Sequence, residues 1–390
     1  MTLAKPKIAI LAFDRHFAIA PRIINEIKAL GVKYQIDGYG ESSIDGLHEF
    51  YKVRRPIRSI YRLVKIIGGV SPNARIWFEK WFYQGLSKKI QSKGYLFLIS
   101  HNIDDALVSL CSGIPFFFNS EEYLPLQFDK SRLFRFTEMN YRDRTLRRIL
   151  SNALLVIVEG ESVASKYSAA FNLPLDKFYV FCNMTAYRPH LTQRNITPKF
   201  IKLVHHGLLA PERGLEILFN IMESLGPQFH LTLLGPISPE HYIKKLNEKA
   251  AKVKNITILS PVPYEKIVEA LVGHDLGLVV FGSPHFHHKY MTVPNKFWEC
   301  LQARVPVLVS SESAMAAYVL ESGCGIVAEK ATLDGYVKAI QSLTPEKISA
   351  MKARCEEKAW IQSIDSRLGD FASSIENSID RVYNAKMIPK

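Results

Sequence analysis

The feature that most restricts what this chain can become is an alternation of short apolar or β-branched runs with longer amphipathic stretches. It runs from the N-terminus to about residue 183 and starts again at residue 201. Such alternation is the signature of βαβ units and a parallel sheet covered by helices. In the first half, 7–13, 95–100, 114–119, 154–159 and 178–183 read as strands, with helices over 21–31 and 163–171 between them. In the second half the strands are 201–207, 229–235, 256–261, 276–282, 305–310 and 324–329. With 390 residues, 47% of them hydrophobic, the chain exceeds what one core holds, since single cores stop growing at roughly 250–300 residues. The prediction is an α/β protein of two Rossmann-like domains, without internal repeat or low-complexity segment. The first covers 1–186 and the second 200–367. A polar linker at 187–199 carries Pro189 and Pro198, and a C-terminal helix at 368–390 returns to the first domain.

The five cysteines, Cys111, Cys182, Cys300, Cys324 and Cys355, are odd in number and scattered, without metal-ligand spacing. They fit a reducing cytosol. The apolar stretch near the N-terminus closes at Asp14 and Arg15, too short for a signal sequence. No apolar run approaches the roughly 18 residues of a membrane span. The net charge of +13 calls for an anionic partner, and much of the excess lies between Tyr51 and Lys93. There eleven cations (Lys52, Arg54, Arg55, Arg58, Arg62, Lys65, Arg75, Lys80, Lys88, Lys89 and Lys93) meet one acid, Glu79, among Tyr51, Tyr61, Trp77, Phe78, Trp81, Phe82 and Tyr83. Two readings stand: a face that rests on anionic lipid, or a solvated basic helix whose rings pack inward. No nucleic-acid motif accompanies the charge.

The segment richest in chemistry is 293–310, VPNKFWECLQARVPVLVS. Pro294 opens a helix, where a missing N–H costs nothing, and the amides that follow are donors at a positive helix end that attracts phosphate. Lys296 adds a full charge, and Glu299 one turn later is placed to accept hydrogen bonds from a vicinal diol such as ribose. Phosphate and ribose are adjacent parts of one nucleotide.

The order of motifs in residues 200–330 resembles the donor domain of the GT-B glycosyltransferases, in the group that includes sucrose synthases and many bacterial polysaccharide enzymes. The matching segments are HHGLLAPERGLEIL (205–218), LTLLGP (231–236), ILSPVPYEKIVEAL (258–271), PNKFWE (294–299) and VPVLVS (305–310). The resemblance implies two Rossmann-like domains facing across a cleft, with a nucleotide-diphosphate sugar as donor substrate and no cofactor. It places Gly207, Arg213, Asn295 and Lys296 at the diphosphate, Glu299 at the ribose, and Val262, Pro263 and Tyr264 beside the base. The chain departs from the group at Met291, where many members carry a second glutamate, and at Gly207-Leu208, where they have Gly-Arg. Tyr290 and Thr292 then supply part of the missing contacts.

In the first half, FFFNSEEYLPLQF (116–128) is similar to the strand-end segment Asp-x-His-Glu of such enzymes, with Asn119 and Glu121 at the aspartate and histidine positions. Glu121 is the preferred general base and Asp14, after the first strand, the second candidate. Both also read as ordinary structural acids. Arg15, Arg22 and Glu122 are the candidate acceptor contacts. His285, His287 and His288 lack a completing ligand and read as a cleft loop, and Asp104 and Asp105 lie in the wrong half for a nucleotide metal, so no essential metal is expected. The expectation is a cytoplasmic hexosyltransferase that is peripheral on the inner face of the cell membrane if its acceptor is lipid-linked. Its acceptor is a carbohydrate or a lipid-linked carbohydrate of bacterial surface polysaccharide or glycolipid synthesis. A nucleotide-sugar 2-epimerase and a non-catalytic subunit of the same fold are the alternatives.

Overall fold

The computed structural model describes residues 4–17, 20–53, 58–126, 132–192, 200–253, 255–280 and 293–387. The chain forms two compact units, Met1–Cys182 with Arg367–Lys390 and Asn183–Ser366.

The first unit is built on seven parallel strands, β1 (Lys7–Leu11), β2 (Gln35–Gly40), β3 (Glu49–Lys52), β4 (Leu98–Ser100), β5 (Phe116–Ser120), β6 (Val156–Val158) and β7 (Phe178–Val180), in the order β3-β2-β1-β4-β5-β6-β7. The central strands are apolar and buried on both faces, as a sheet covered by helices requires. β2 and β3 are the two strands that periodicity did not predict. β2 reads QIDGYG and has no apolar run. It is a strand because Asp37, fully buried, accepts hydrogen bonds from His48 (3.0 Å) and Tyr95 (2.6 Å). Gly38 also lets rings close on the strand, since a Cβ there would lie 2.9 Å from Phe17 and 3.0 Å from Phe50. The terminal helix Leu368–Met387 buries Phe371, Ile375 and Ile379, spaced one turn apart, and Phe371 stacks on Phe181 at 4.3 Å.

The second unit carries β8 (Ile201–His206), β9 (Phe229–Leu234), β10 (Ile256–Leu259), β11 (Leu276–Leu278), β12 (Val307–Ser310) and β13 (Gly325–Ala328), all parallel, in the order β10-β9-β8-β11-β12-β13. All six lie inside the runs read from the sequence. Leu203, Leu231, Leu233, Leu276 and Leu308 form the centre of its core. The linker expectation needs correction. Tyr187 N–H donates to Asp365 (2.7 Å) and Arg188 N–H to Gln302 (3.2 Å), and Arg304 donates to the Arg188 carbonyl (3.0 Å). These partners are more than a hundred residues away, so a stretch that looks like linker by composition is packed structure. Residues 193–199 lie outside the described residues.

The basic, aromatic segment divides between its two readings. Tyr83 is buried and Tyr51 stacks on Tyr39 at 4.7 Å, whereas Trp77 and Trp81 are exposed. The helix Arg58–Val70 turns Val64 inward and leaves Ile60, Leu63, Ile66, Ile67 and Val70 in solvent. Arg54 and Arg55 lie outside the described residues.

Candidate functional site

In an open parallel sheet, ligands gather beyond the carboxyl ends of the strands where the order reverses. In the second unit that point lies between β8 and β11. β8 ends in His205 and His206, both buried. His205 Nδ1 meets the Leu278 carbonyl at the end of β11 (2.8 Å), and a carbonyl only accepts, so Nδ1 carries the proton. Its Nε2 is therefore a lone pair, and Lys296 Nζ lies 3.3 Å from it. Burial first, then the Lys296 charge, with smaller effects of His206 and Arg213, hold the His205 pKa well below the usual imidazole range. The ring stays neutral and orients the ammonium.

Gly207 follows with φ +112°, and a Cβ there would sit 3.8 Å from Lys296 Nζ, so the glycine leaves the ammonium open on that side. At the end of β9, Gly235 has φ +148°, and a Cβ on it would lie 2.0 Å from the Gly207 carbonyl. Only glycine fits there, which pins the two strand ends together. The helix Asn295–Gln302 starts after Pro294 and turns Glu299 inward, where it takes a 2.7 Å hydrogen bond from His206 Nε2. Tyr264, after the Val262–Pro263 turn, is close enough to feel the Glu299 charge. Burial first and that carboxylate second push its hydroxyl up to about 12. Arg213, exposed in the turn Pro211–Arg213, contributes to the same field. Gly207, Lys296, Glu299, Tyr264 and Arg213 thus converge on one strand-end crevice. Asn295 stands at its helix start, and Val262 and Pro263 at its edge. Tyr290, Met291, Thr292 and the histidines at 285, 287 and 288 lie outside the described residues. The sequence reading had one histidine of the 205–206 pair touching ligand and the other in the core. Both are buried, and both position a neighbouring charge.

The corresponding crevice of the first unit lies between β1 and β4. Its centre is His101, which no motif had pointed to. Nε2 pairs with Glu26 (2.8 Å) and Nδ1 with Glu121 (3.3 Å). Burial opposes the charged ring, but the Glu26 charge and the bonds to both carboxylates push its pKa up to about 9. Glu121 also takes a 2.8 Å bond from Arg15. Burial would raise its carboxyl, but the hydrogen bond and charge of His101, with Arg15 and Arg22, hold it at about 2. A carboxylate held this way is a poor proton acceptor, so the expected first choice of base is corrected: Glu121 is an electrostatic partner of His101. Asp14, half exposed, accepts from the Asn102 side chain. Arg22 is buried over the Phe181 ring at 5.2 Å and donates to the Phe181 carbonyl, while its Nε and Nη2 have no hydrogen-bond partner among the described residues. Glu122 is exposed, and its carbonyl accepts from Tyr167.

Beside Asp14 and Asn102, a cavity of about 650 Å3 is lined by Tyr61, Arg62, Asp104 and Arg142 among others. Asp105 is fully engaged below it, accepting from the backbone N–H of Phe13 (3.3 Å) and of Asn102 (3.1 Å). Among the described residues, Asp37, His48 and Glu49 bring possible ligand atoms within 4.8 Å of one another. His48 and Tyr95 already donate to Asp37, and Lys93 pairs with Glu49 at 3.2 Å. The set therefore reads as an ionic network.

These charges fix a pH dependence. Burial, followed in each case by a neighbouring acid or opposed by Arg22, raises Glu79 to about 7, Asp105 to about 8 and Glu159 to about 8. Each keeps a proton in the fold that the unfolded chain releases above its ordinary carboxyl pKa. His101 likewise keeps its proton up to about 9, so its contribution is full below the unfolded imidazole pKa and is lost as pH rises through 9. In every case the native state binds more protons, so stability falls with pH. The urea midpoint of the first unit is expected to drop steadily from pH 5 to pH 9. A midpoint that rises over that range would contradict the assignment.

Residues 219–365 match the family model described as "Glucosyltransferase 3-like, C-terminal domain". No curated protein matches the chain by sequence. Among solved structures, HepE of Anabaena in complex with UDP and glucose superposes with a TM-score of 0.68 at 12% identity, over 95% of this chain and 99% of that one. Sucrose-phosphate synthase of Thermosynechococcus elongatus gives 0.69 at 12% identity, over 98% and 100%. WaaG, a glycosyltransferase involved in lipopolysaccharide biosynthesis, gives 0.65 at 14% identity, over 94% and 98%.

Proposed function

Since the chain is a glycosyltransferase of the GT-B architecture with a glucosyltransferase 3-like domain at 219–365, we propose that its second unit takes a nucleotide-diphosphate sugar at the β8–β11 crevice and that its first unit supplies the acceptor side. The observation that carries the reading is the ammonium of Lys296, held by neutral His205 beside the open backbone of Gly207. Lys296 and Arg213 face the diphosphate, and Glu299, braced by His206, grips the ribose diol. The Val262–Tyr264 turn borders the base. Tyr290, Thr292 and Asn295 complete the donor side.

In the reaction the bond from the anomeric carbon to the phosphate oxygen breaks, and one from that carbon to the acceptor oxygen forms. The bonding electrons leave with the diphosphate, whose growing charge Lys296 and Arg213 neutralise. The acceptor hydroxyl gives its proton to a base, for which Asp14 is the better placed carboxylate, at the mouth of the 650 Å3 cavity. Arg15, Arg22 and Glu122 are the acceptor contacts. No step calls for a metal or cofactor. A lipid-linked acceptor at the cytoplasmic face of a membrane fits the excess of positive charge in the first unit, and WaaG and HepE lend bacterial surface-polysaccharide synthesis and UDP-glucose as first guides to acceptor and donor.

A thermal-shift panel of UDP, GDP, ADP and their sugars, run with and without EDTA, tests the reading. One diphosphate at a hundredfold excess over its Kd contributes about 2.7 kcal/mol. A clear rise in Tm that survives EDTA is expected. No shift with any nucleotide at millimolar concentration would remove the reading.

A further inference from the structure

More than half of the exposed large apolar side chains among the described residues fall on one small part of the first unit. They are the five aliphatic side chains of the helix Arg58–Val70, Trp77 and Trp81 on the helix Pro72–Gln91, and Leu133, Phe136 and Met139 on the neighbouring chain. The π-helical turn Arg135–Met139 lies directly against the first of these helices, since a Cβ on Gly69 would be 2.8 Å from the Phe136 ring. The two elements therefore present one continuous ridge. Scattered exposed apolar residues are ordinary, but a contiguous set is not.

The charges on the same elements are sorted by depth. The only acids in 58–91 and 132–139 are Glu79 and Glu138, and both are buried around Arg75. Arg62, Lys80, Arg132 and Arg135 are exposed. The ridge is thus apolar at its crest and cationic at its flanks, with no exposed acid on these segments. A second copy of the chain seated on it would bring like charges together. An anionic bilayer satisfies both features at once, with phosphates on the flanking cations and the aliphatic crest below the headgroups.

We propose that the first unit docks on an anionic lipid bilayer through the ridge formed by the helix Arg58–Val70 and the turn Arg135–Met139. This rests on the transferase reading only in making that bilayer the source of the acceptor. The contact differs from the basic, aromatic surface suggested by composition, because most of those rings pack inward and the inserted groups are aliphatic.

Co-sedimentation of the full chain with phosphatidylcholine vesicles, with and without phosphatidylglycerol, tests it. Binding is expected only with phosphatidylglycerol, weakened but not abolished by salt. Leu63→Ser with Ile67→Ser is expected to weaken it about tenfold or more, and Arg62→Gln with Arg135→Gln to weaken it and flatten its salt dependence. The nucleotide thermal shift, measured on each variant, should stay unchanged. The proposal is overturned if the wild-type chain ignores these vesicles, if both variant pairs bind like the parent, or if the ridge variants instead convert a dimer to a monomer. Vesicle binding without any nucleotide shift would sink the transferase reading and leave the docking face standing.

Discussion

Replacing Lys296 with methionine is expected to weaken nucleotide-diphosphate binding about thirtyfold or more, because a hydrogen bond to a charged group contributes roughly 2 kcal/mol. The unliganded protein should unfold at nearly the same temperature. The side chain is only half buried and its neighbour His205 is neutral, so no ion pair is broken and no charge is stranded. Methionine keeps the apolar stem and removes only the ammonium. Isothermal titration of the two proteins with the best nucleotide of the panel gives the difference directly. Lys330→Met, an exposed cation of the same unit, controls for net charge and should bind like the parent. Equal affinities for the Lys296 variant and the parent would detach the helix Asn295–Gln302 from the diphosphate, and the donor-site assignment would fail there.

The donor side was legible because its parts are local in sequence. β8 runs straight into Gly207, Pro294 opens the helix that carries Lys296 and Glu299, and each strand of the second unit is an unbroken apolar run. What could not be read was the company these residues keep. Lys296 lies 91 positions from His205, and Glu299 lies 93 from His206. The first unit was harder for the same reason, made stronger. Its central pair, Glu26 and His101, is 75 residues apart, and neither belongs to a motif. Glu121 was singled out correctly as part of the crevice, yet its chemistry depends on His101 and Arg15, which no local pattern ties to it. β2 escaped because its stability comes from a buried aspartate and from rings that close over glycine, the opposite of an apolar run.

Arg75→Met is expected to cost the first unit about 3–5 kcal/mol at pH 8, the usual effect of removing one partner from a buried ionic cluster. The guanidinium is 2% exposed, lies 3.6 Å over the Tyr141 ring and pairs with Glu79 (2.9 Å) and Glu138 (3.1 Å). Without it, two buried carboxylates face each other. Glu138 keeps Lys65 (2.9 Å), but Glu79 keeps only the Tyr141 hydroxyl. Burial, and next the charge of Asp104, already holds Glu79 at about 7 with Arg75 present, so without the arginine it should stay protonated to higher pH. The cost should therefore shrink at pH 5.5, where the acid takes up its proton in both proteins. The size of the loss does not mean that the cluster stabilises the fold, since taking three charges out of water offsets much of their attraction. Arg75→Met combined with Glu79→Gln and Glu138→Gln separates the two ideas, because it removes the charges together. That triple variant is expected to recover most of the loss. Urea midpoints at pH 8 and pH 5.5 for the single and triple variants measure both effects. A single variant within 1 kcal/mol of the parent at pH 8, about the size of an exposed pair, would show that water reaches the cluster and that Glu79 and Glu138 are not held inward by Arg75.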